Sequence, residues 1–171
     1  RGVKVYEQAS SAGFRETEQR TRTVDIHLHE VKAETKEYLR QYYTNDDGQM
    51  ICQICKAELP FKLENGEYYF ESIKFLPGLL RQHHQNYLAL CPNHAAMYDL
   101  INNSADSMIE KFANIKGNEI EISLGEEPVT VYLNTTQIMD LQKVLQAEEA
   151  SNLVDGNNQQ ENSQQQAEAA K

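Results

Sequence analysis

Two short stretches of this chain carry side chains suited to chemistry: Cys52-Gln53-Ile54-Cys55 and Cys91-Pro92-Asn93-His94. Zinc takes four ligands in a tetrahedron, drawn from thiolates and imidazoles. A C-x2-C turn offers two sulfurs to one ion because the backbone between them curls around it. A second pair at a helix start can supply the other two ligands. The pairs are 35 residues apart, so a single ion would close a long loop. All three cysteines of the chain are consumed by this scheme. With four protein ligands the site is closed, which makes the ion structural rather than catalytic.

Two other readings of the same residues stand beside this one. The C-x2-C could be a redox dithiol, but that leaves Cys91 and His94 without a role, and no βαβ pattern surrounds it. The cysteines could be inert core residues. The pairing of half-sites favours zinc over both. An odd cysteine count argues against a closed disulfide framework and points to a reducing, intracellular setting.

The elements that must position these ligands are legible in part. The chain is expected to be α+β. Residues 1–22 are polar and mixed in charge and read as linker or frayed terminus. Thr23–His29 alternates, with Val24, Ile26 and Leu28 on one face, and reads as a short strand. Glu30–Tyr43 has helical spacing through Val31, Thr35, Tyr38, Leu39 and Tyr42. Thr44–Gly48 is a turn. Gln49–Leu90 reads as short extended pieces, with a turn at Glu64–Glu67, a strand over Tyr68–Phe75 and a break at Pro77-Gly78. Pro92–Asn102 reads as a helix, and Ala105–Ile115 extends it or forms another. Glu119–Leu124 and Val129–Leu133 suggest a hairpin around Gly125-Glu126-Glu127. Thr135 or Thr136 would cap a helix through Ile138, Leu141, Val144 and Leu145. A zinc domain over 23–115 and an accessory hairpin and helix over 116–149 are the expected units. The Gln/Asn/Glu-rich residues 150–171 should be disordered for want of apolar surface.

The stretch Cys52–Cys55, Tyr68–Leu79 and Asn86–His94 resembles the HNH endonuclease family over about residues 48–102, in order, spacing and flanking residues. That resemblance implies a small treble-clef-like, ββα-metal zinc domain. Phe70-Glu71 matches the family's Phe-Glu, Pro77 its proline and Asn86 its middle asparagine, and His94 replaces the last cysteine of its zinc set. The family's paired strand histidines, which bind the catalytic metal and activate water, fall at Ile73 and Lys74. Its closing histidine, a catalytic-metal ligand, falls at Ala95. Phosphodiester cleavage needs a bound metal and a positioned base. Ile73 can serve neither role, and a charged Lys74 has no acceptor. The resemblance therefore implies a degenerate module that keeps one structural Zn2+ and has lost its catalytic residues.

An alternative is a working nuclease with relocated ligands. His83 and His84 follow about ten residues on, with Glu71 and Asn86 as further members of a displaced site. A third reading is nucleic-acid binding without cleavage. Net charge is −10, and residues 45–115 carry 5 Lys/Arg against 9 Asp/Glu. Phosphate neutralisation supplies most duplex affinity, so charge does not support nucleic acid as a partner. A protein partner, or the rest of a longer parent chain, is the expected contact. The chain starts at Arg1, which reads as a piece of something longer. No apolar run reaches the roughly 18 residues of a membrane span, and no signal-peptide core is visible in the first 30 residues.

Overall fold

The computed structural model describes the backbone of residues 26–168 and the side chains of 31–151. The expected linker over 1–22 lies outside the described residues, as do Thr23–Asp25. From Ile26 the backbone is helical: helix α1 spans Ile26–Tyr43. The strand expected over Thr23–His29 is therefore corrected over Ile26–His29. Its alternation covered only three apolar residues, too few to separate period 2 from the helical period that takes over at Val31.

Helix α1 buries Thr35, Tyr38, Leu39 and Tyr43, the spacing of one helical face. Asn45 ends the turn after it by accepting the amide N–H groups of Asp47 and Gln49. The chain then returns through bridges Thr44↔Met50 and Ile51↔Glu58, and a small hairpin closes at Lys62↔Tyr68. Strand β1, Glu71–Lys74, pairs antiparallel with β2, Tyr87–Leu90. Regular strand is thus confined to the second half of the expected Tyr68–Phe75 run. The register Glu71↔Leu90 to Lys74↔Tyr87 delivers the chain to Cys91 at the β1 start.

Helix α2, Pro92–Ile101, begins directly after Cys91 with proline at its first position, where the missing N–H costs nothing. Tyr98 pins α2 to β1 by donating its hydroxyl to the Phe75 carbonyl at 2.8 Å. A 3₁₀ turn at Ala105–Ser107 leads into α3, Met108–Ala113. Phe112 of α3 meets Phe75 edge to face at 5.9 Å.

Strands β3, Glu119–Leu124, and β4, Glu127–Tyr132, form a second antiparallel pair. Ile120, Ile122 and Leu124 are buried while Glu119 and Glu121 are exposed. The loop is two residues, Gly125-Glu126, two shorter than the gap between the expected strands, since Leu124 pairs with Glu127. Gly125 has φ 61°, the left-handed value a type II′ hairpin needs at its first loop position.

Helix α4 starts at Thr135. Asn134, rather than either threonine, caps it: its Oδ1 accepts the Gln137 N–H at 2.8 Å. Gln137, Leu141, Val144 and Glu148 are buried, a stripe at helical spacing. The backbone stays helical to Glu168, where a disordered tail from 150 was expected. Gln is the commonest residue there and, with Glu161, Ala167 and Glu168, has high intrinsic helix propensity; residues 169–171 of the expected tail lie outside the described residues.

The fold is mixed α+β, with four α-helices and two two-stranded antiparallel sheets among the described residues. One continuous core runs from Tyr38 and Leu39 through Phe75, Leu88 and Phe112 to Leu133 and Leu141. The hairpin and α4 thus share their packing with the cysteine-bearing segments. No helix among the described residues is long and apolar enough to cross a membrane.

Candidate metal centre

The structure brings Cys52, Cys55, Cys91 and His94 together, with one donor atom from each lying within 4.8 Å of all the others. His94 Nδ1 is 3.6 Å from Cys52 Sγ and 3.2 Å from Cys91 Sγ. Tetrahedral zinc, with Zn–S about 2.3 Å and Zn–N about 2.0 Å, places sulfur and nitrogen about 3.5 Å apart. The observed pairs straddle that value. None of the three cysteines is in a disulfide, so all three sulfurs are free to ligate. The residues present fit a four-coordinate zinc.

Local backbone explains how the first pair is presented. The Cys52 amide donates to the Ala57 carbonyl at 3.0 Å, and the Lys56 amide to the Cys52 carbonyl at 2.8 Å. Closing so tight a turn puts Lys56 at φ 59°, a region that side chains other than glycine seldom adopt. The second pair uses the helix start. Cys91 sits at the N-cap of α2 with extended φ −65° and ψ 157°, and His94 lies three positions on. Residues at N-cap and N3 face one another across the first turn, so the spacing brings sulfur and imidazole together.

Burial acts differently on the thiol and the imidazole of this set. Burial pushes the Cys52 thiol up to about 12, partly opposed by backbone N–H groups of Cys91, Ile54 and Cys55 that favour the thiolate. A bound divalent cation deprotonates such a thiol outright, and those amides are then already aimed at the sulfur. Burial also holds His94 below the ordinary imidazole value, which keeps the ring neutral and able to donate a lone pair.

The turn is anchored on its other side by residues that pattern reading did not single out. Gln53 is fully buried. Its Oε1 accepts the Ala89 amide at 2.7 Å, and its Nε2 donates to the Tyr132 carbonyl at 2.9 Å and to Gln137 Oε1 at 3.2 Å. Gln137, also fully buried, accepts the Tyr43 hydroxyl and donates to the carbonyls of Gln85 and Tyr87 at 2.9 and 2.8 Å. These two amides tie α1, β2, β4 and α4 to the cysteine turn. Glutamine is usually a surface residue, so composition gives no hint of this role. The one available signal is that Gln137 falls in series with Leu141 and Val144.

The remaining candidates separate. Glu71 accepts the Tyr69 hydroxyl. His83 Nε2 lies 2.9 Å from Glu148 Oε1, and Glu148 also accepts the amides of Leu80 and Arg81. His84 lies 3.4 Å from Glu34 and packs edge-on against Tyr38. Asn86 is buried and clamps the loop, exchanging hydrogen bonds with the Leu76 N–H and carbonyl at 2.8 and 2.9 Å. Among the described residues, the cysteine–histidine set is the one group of three or more potential metal ligands. Ile73 and Lys74 line a cleft of about 300 Å³ with Ser72, Asp99 and Asn102, and Ala95 is buried.

No family model, curated protein or solved structure matches this chain.

Proposed function

We propose that this chain is a zinc-stabilised, catalytically silent HNH-like module, of treble-clef type, that serves as an interaction unit of a larger protein in a reducing compartment. The observation that carries the reading is the convergence of three thiols and one imidazole, their donor atoms within 4.8 Å of one another. The positions that would hold the catalytic metal and base in the resembled family are Ile73, Lys74 and Ala95, none of which supplies a ligand or a neutral-pH base. The bound ion would be held by Cys52, Cys55, Cys91 and His94, and would contribute on the order of 10 kcal/mol of folding free energy.

A protein partner, or the rest of the parent chain, suits the surface better than nucleic acid does. Net charge is −10, and Leu100 and Ile101 stand exposed at the end of α2, with Ile109 exposed on α3. A link to nucleic-acid processing or defence rests on the resemblance alone.

Elemental analysis of the purified protein tests the metal, with one zinc per chain expected. Incubation with plasmid DNA and Mg2+, Mn2+ or Ni2+ tests the silence, with no cleavage expected. Cleavage that vanishes in a His83→Ala/His84→Ala variant would overturn it in favour of a nuclease with relocated ligands. Steeply salt-dependent DNA affinity without cleavage would point instead to a nucleic-acid binding module.

A further inference from the structure

The four donors of the centre are unequally sheltered. Cys52 is fully buried, Cys91 and His94 are half-buried, and Cys55 is exposed. A second cleft, of about 410 Å³, opens where Cys55 and His94 face the hairpin. Its far wall includes Glu121, Pro128 and Thr130. The register Glu121↔Thr130 and Ser123↔Pro128 places these residues on one face of the hairpin, opposite the face that buries Ile120 and Ile122. An ion pair between Lys56 and Glu119 spans from the turn to the same hairpin.

From the cleft and this asymmetry of shelter we propose that Cys55 is a modification site, the one thiolate of the centre open to small neutral electrophiles and peroxides. Its reaction dismantles the metal centre. The inference rests on the zinc reading. A thiolate is the nucleophile in such chemistry, and susceptibility follows thiolate character and exposure. Zinc supplies the thiolate character to all three sulfurs, so exposure decides among them. With hydrogen peroxide as oxidant, Cys55 sulfur attacks one peroxide oxygen. The S–O bond forms as the O–O bond breaks, the sulfur loses two electrons, and the second oxygen leaves as hydroxide. A neighbouring cysteine thiolate, already within 4.8 Å, then attacks the sulfenic sulfur. The disulfide forms and a second hydroxide is released. The centre is left with one thiolate and one imidazole, too few ligands to retain the ion.

Glu121 gives the cleft a selectivity. Its carboxylate lines the same cleft as Cys55 and disfavours an anionic reagent relative to a neutral one.

The test uses the full chain, with zinc content measured first. Hydrogen peroxide is added, zinc release is followed with a metallochromic dye, and sulfenic acid is trapped with dimedone for mass spectrometry. Cys55 should carry the first adduct, and zinc loss should track it. A Cys55→His variant keeps a fourth ligand but no thiol there, and it should hold its zinc under the same peroxide. Alkylation adds a second readout: Glu121→Gln should raise the iodoacetate rate relative to that of iodoacetamide. First modification at Cys52 or Cys91 would overturn the proposal, and this readout needs no variant to fold. Unchanged peroxide-driven zinc loss in a zinc-loaded Cys55→His protein would also overturn it. Starting material without zinc would instead sink the metal reading beneath it.

Discussion

Replacing Gln137 by leucine keeps the side chain's bulk and removes its four hydrogen bonds. The consequences can be worked partner by partner. Tyr43 loses the acceptor for its hydroxyl proton, although its oxygen still accepts the Asn134 amide at 3.1 Å. Gln53 keeps the Tyr132 carbonyl as an acceptor. The carbonyls of Gln85 and Tyr87 each lose a donor. A buried polar group left without its partner costs about 1–3 kcal/mol. Three weakened groups, with Gln53 only partly affected, give a gross loss of about 3–9 kcal/mol. Burying the leucine side chain returns about 1 kcal/mol of this. The expected net destabilisation is about 2–8 kcal/mol, a large share of the roughly 5–15 kcal/mol typical of a domain. Urea unfolding of the zinc-loaded protein measures it directly, with the m-value unchanged if only stability has moved. Thr136→Leu, one residue away but exposed, is the control and should stay within about 0.5 kcal/mol of the parent. If Gln137→Leu also falls within that margin, the amide network does not hold the elements together and the reasoning fails.

Lys56 sits in the left-handed region, which costs a side-chain-bearing residue about 1–2 kcal/mol. Lys56→Gly removes that strain but also the exposed ion pair to Glu119, itself worth at most about 1 kcal/mol. Thermal denaturation should therefore find the glycine variant close to the parent, with Lys56→Val clearly less stable than either. Glu148 has its carboxyl held below the ordinary value, chiefly by the His83 hydrogen bond. The bond's stabilisation is then complete above the unfolded carboxyl value of about 4.3 and is lost as pH falls through the lowered folded value. The stability gap between the parent and Glu148→Gln should accordingly shrink on acidification below about pH 5. An unchanging gap down to pH 3, roughly a unit below that carboxyl value, would contradict this assignment. Removing the metal with a chelator should abolish helical circular dichroism and near-ultraviolet signals together.

The candidate metal ligands were legible as a group because their types are rare and their spacings are dictated by a turn and a helix start. Helix α1 from Glu30 and the β3–β4 hairpin were legible because their apolar periods are sustained. Where the period was short, as at Ile26–Leu28, the pattern could not choose between strand and helix. The cap of α4 was displaced by one residue because Asn134 and the two threonines after it all belong to the set of good caps. The docking of the hairpin and α4 onto the cysteine turn was not visible at all. It depends on Gln53 and Gln137 meeting across 84 residues, and no local signal marks a glutamine as buried. The other candidate histidines were no better marked: His83 and His84 read as displaced ligands, yet each lies against a helix carboxylate, Glu148 of α4 and Glu34 of α1.

The position of Gln53 between the two cysteines of the turn has an energetic consequence. Its backbone and side chain hold β2 and β4 on one side, through the Ala89 and Tyr132 contacts, while Cys52 and Cys55 would hold the proposed ion on the other. Metal geometry and hairpin docking therefore constrain the same four residues. Were the zinc segment independent of the hairpin and α4, the ion's folding contribution would stop at Ile101. On the zinc reading it would not, because Gln53 passes the constraint to Gln137, and the buried stripe from Gln137 to Glu148 passes it to the loop at Leu80 and Arg81. That loop is fastened in turn by Asn86, which leads straight into β2 and Cys91. The path closes on the metal ligands, which is the physical reason to expect one cooperative unfolding event rather than a zinc knuckle that melts while its accessory helix survives.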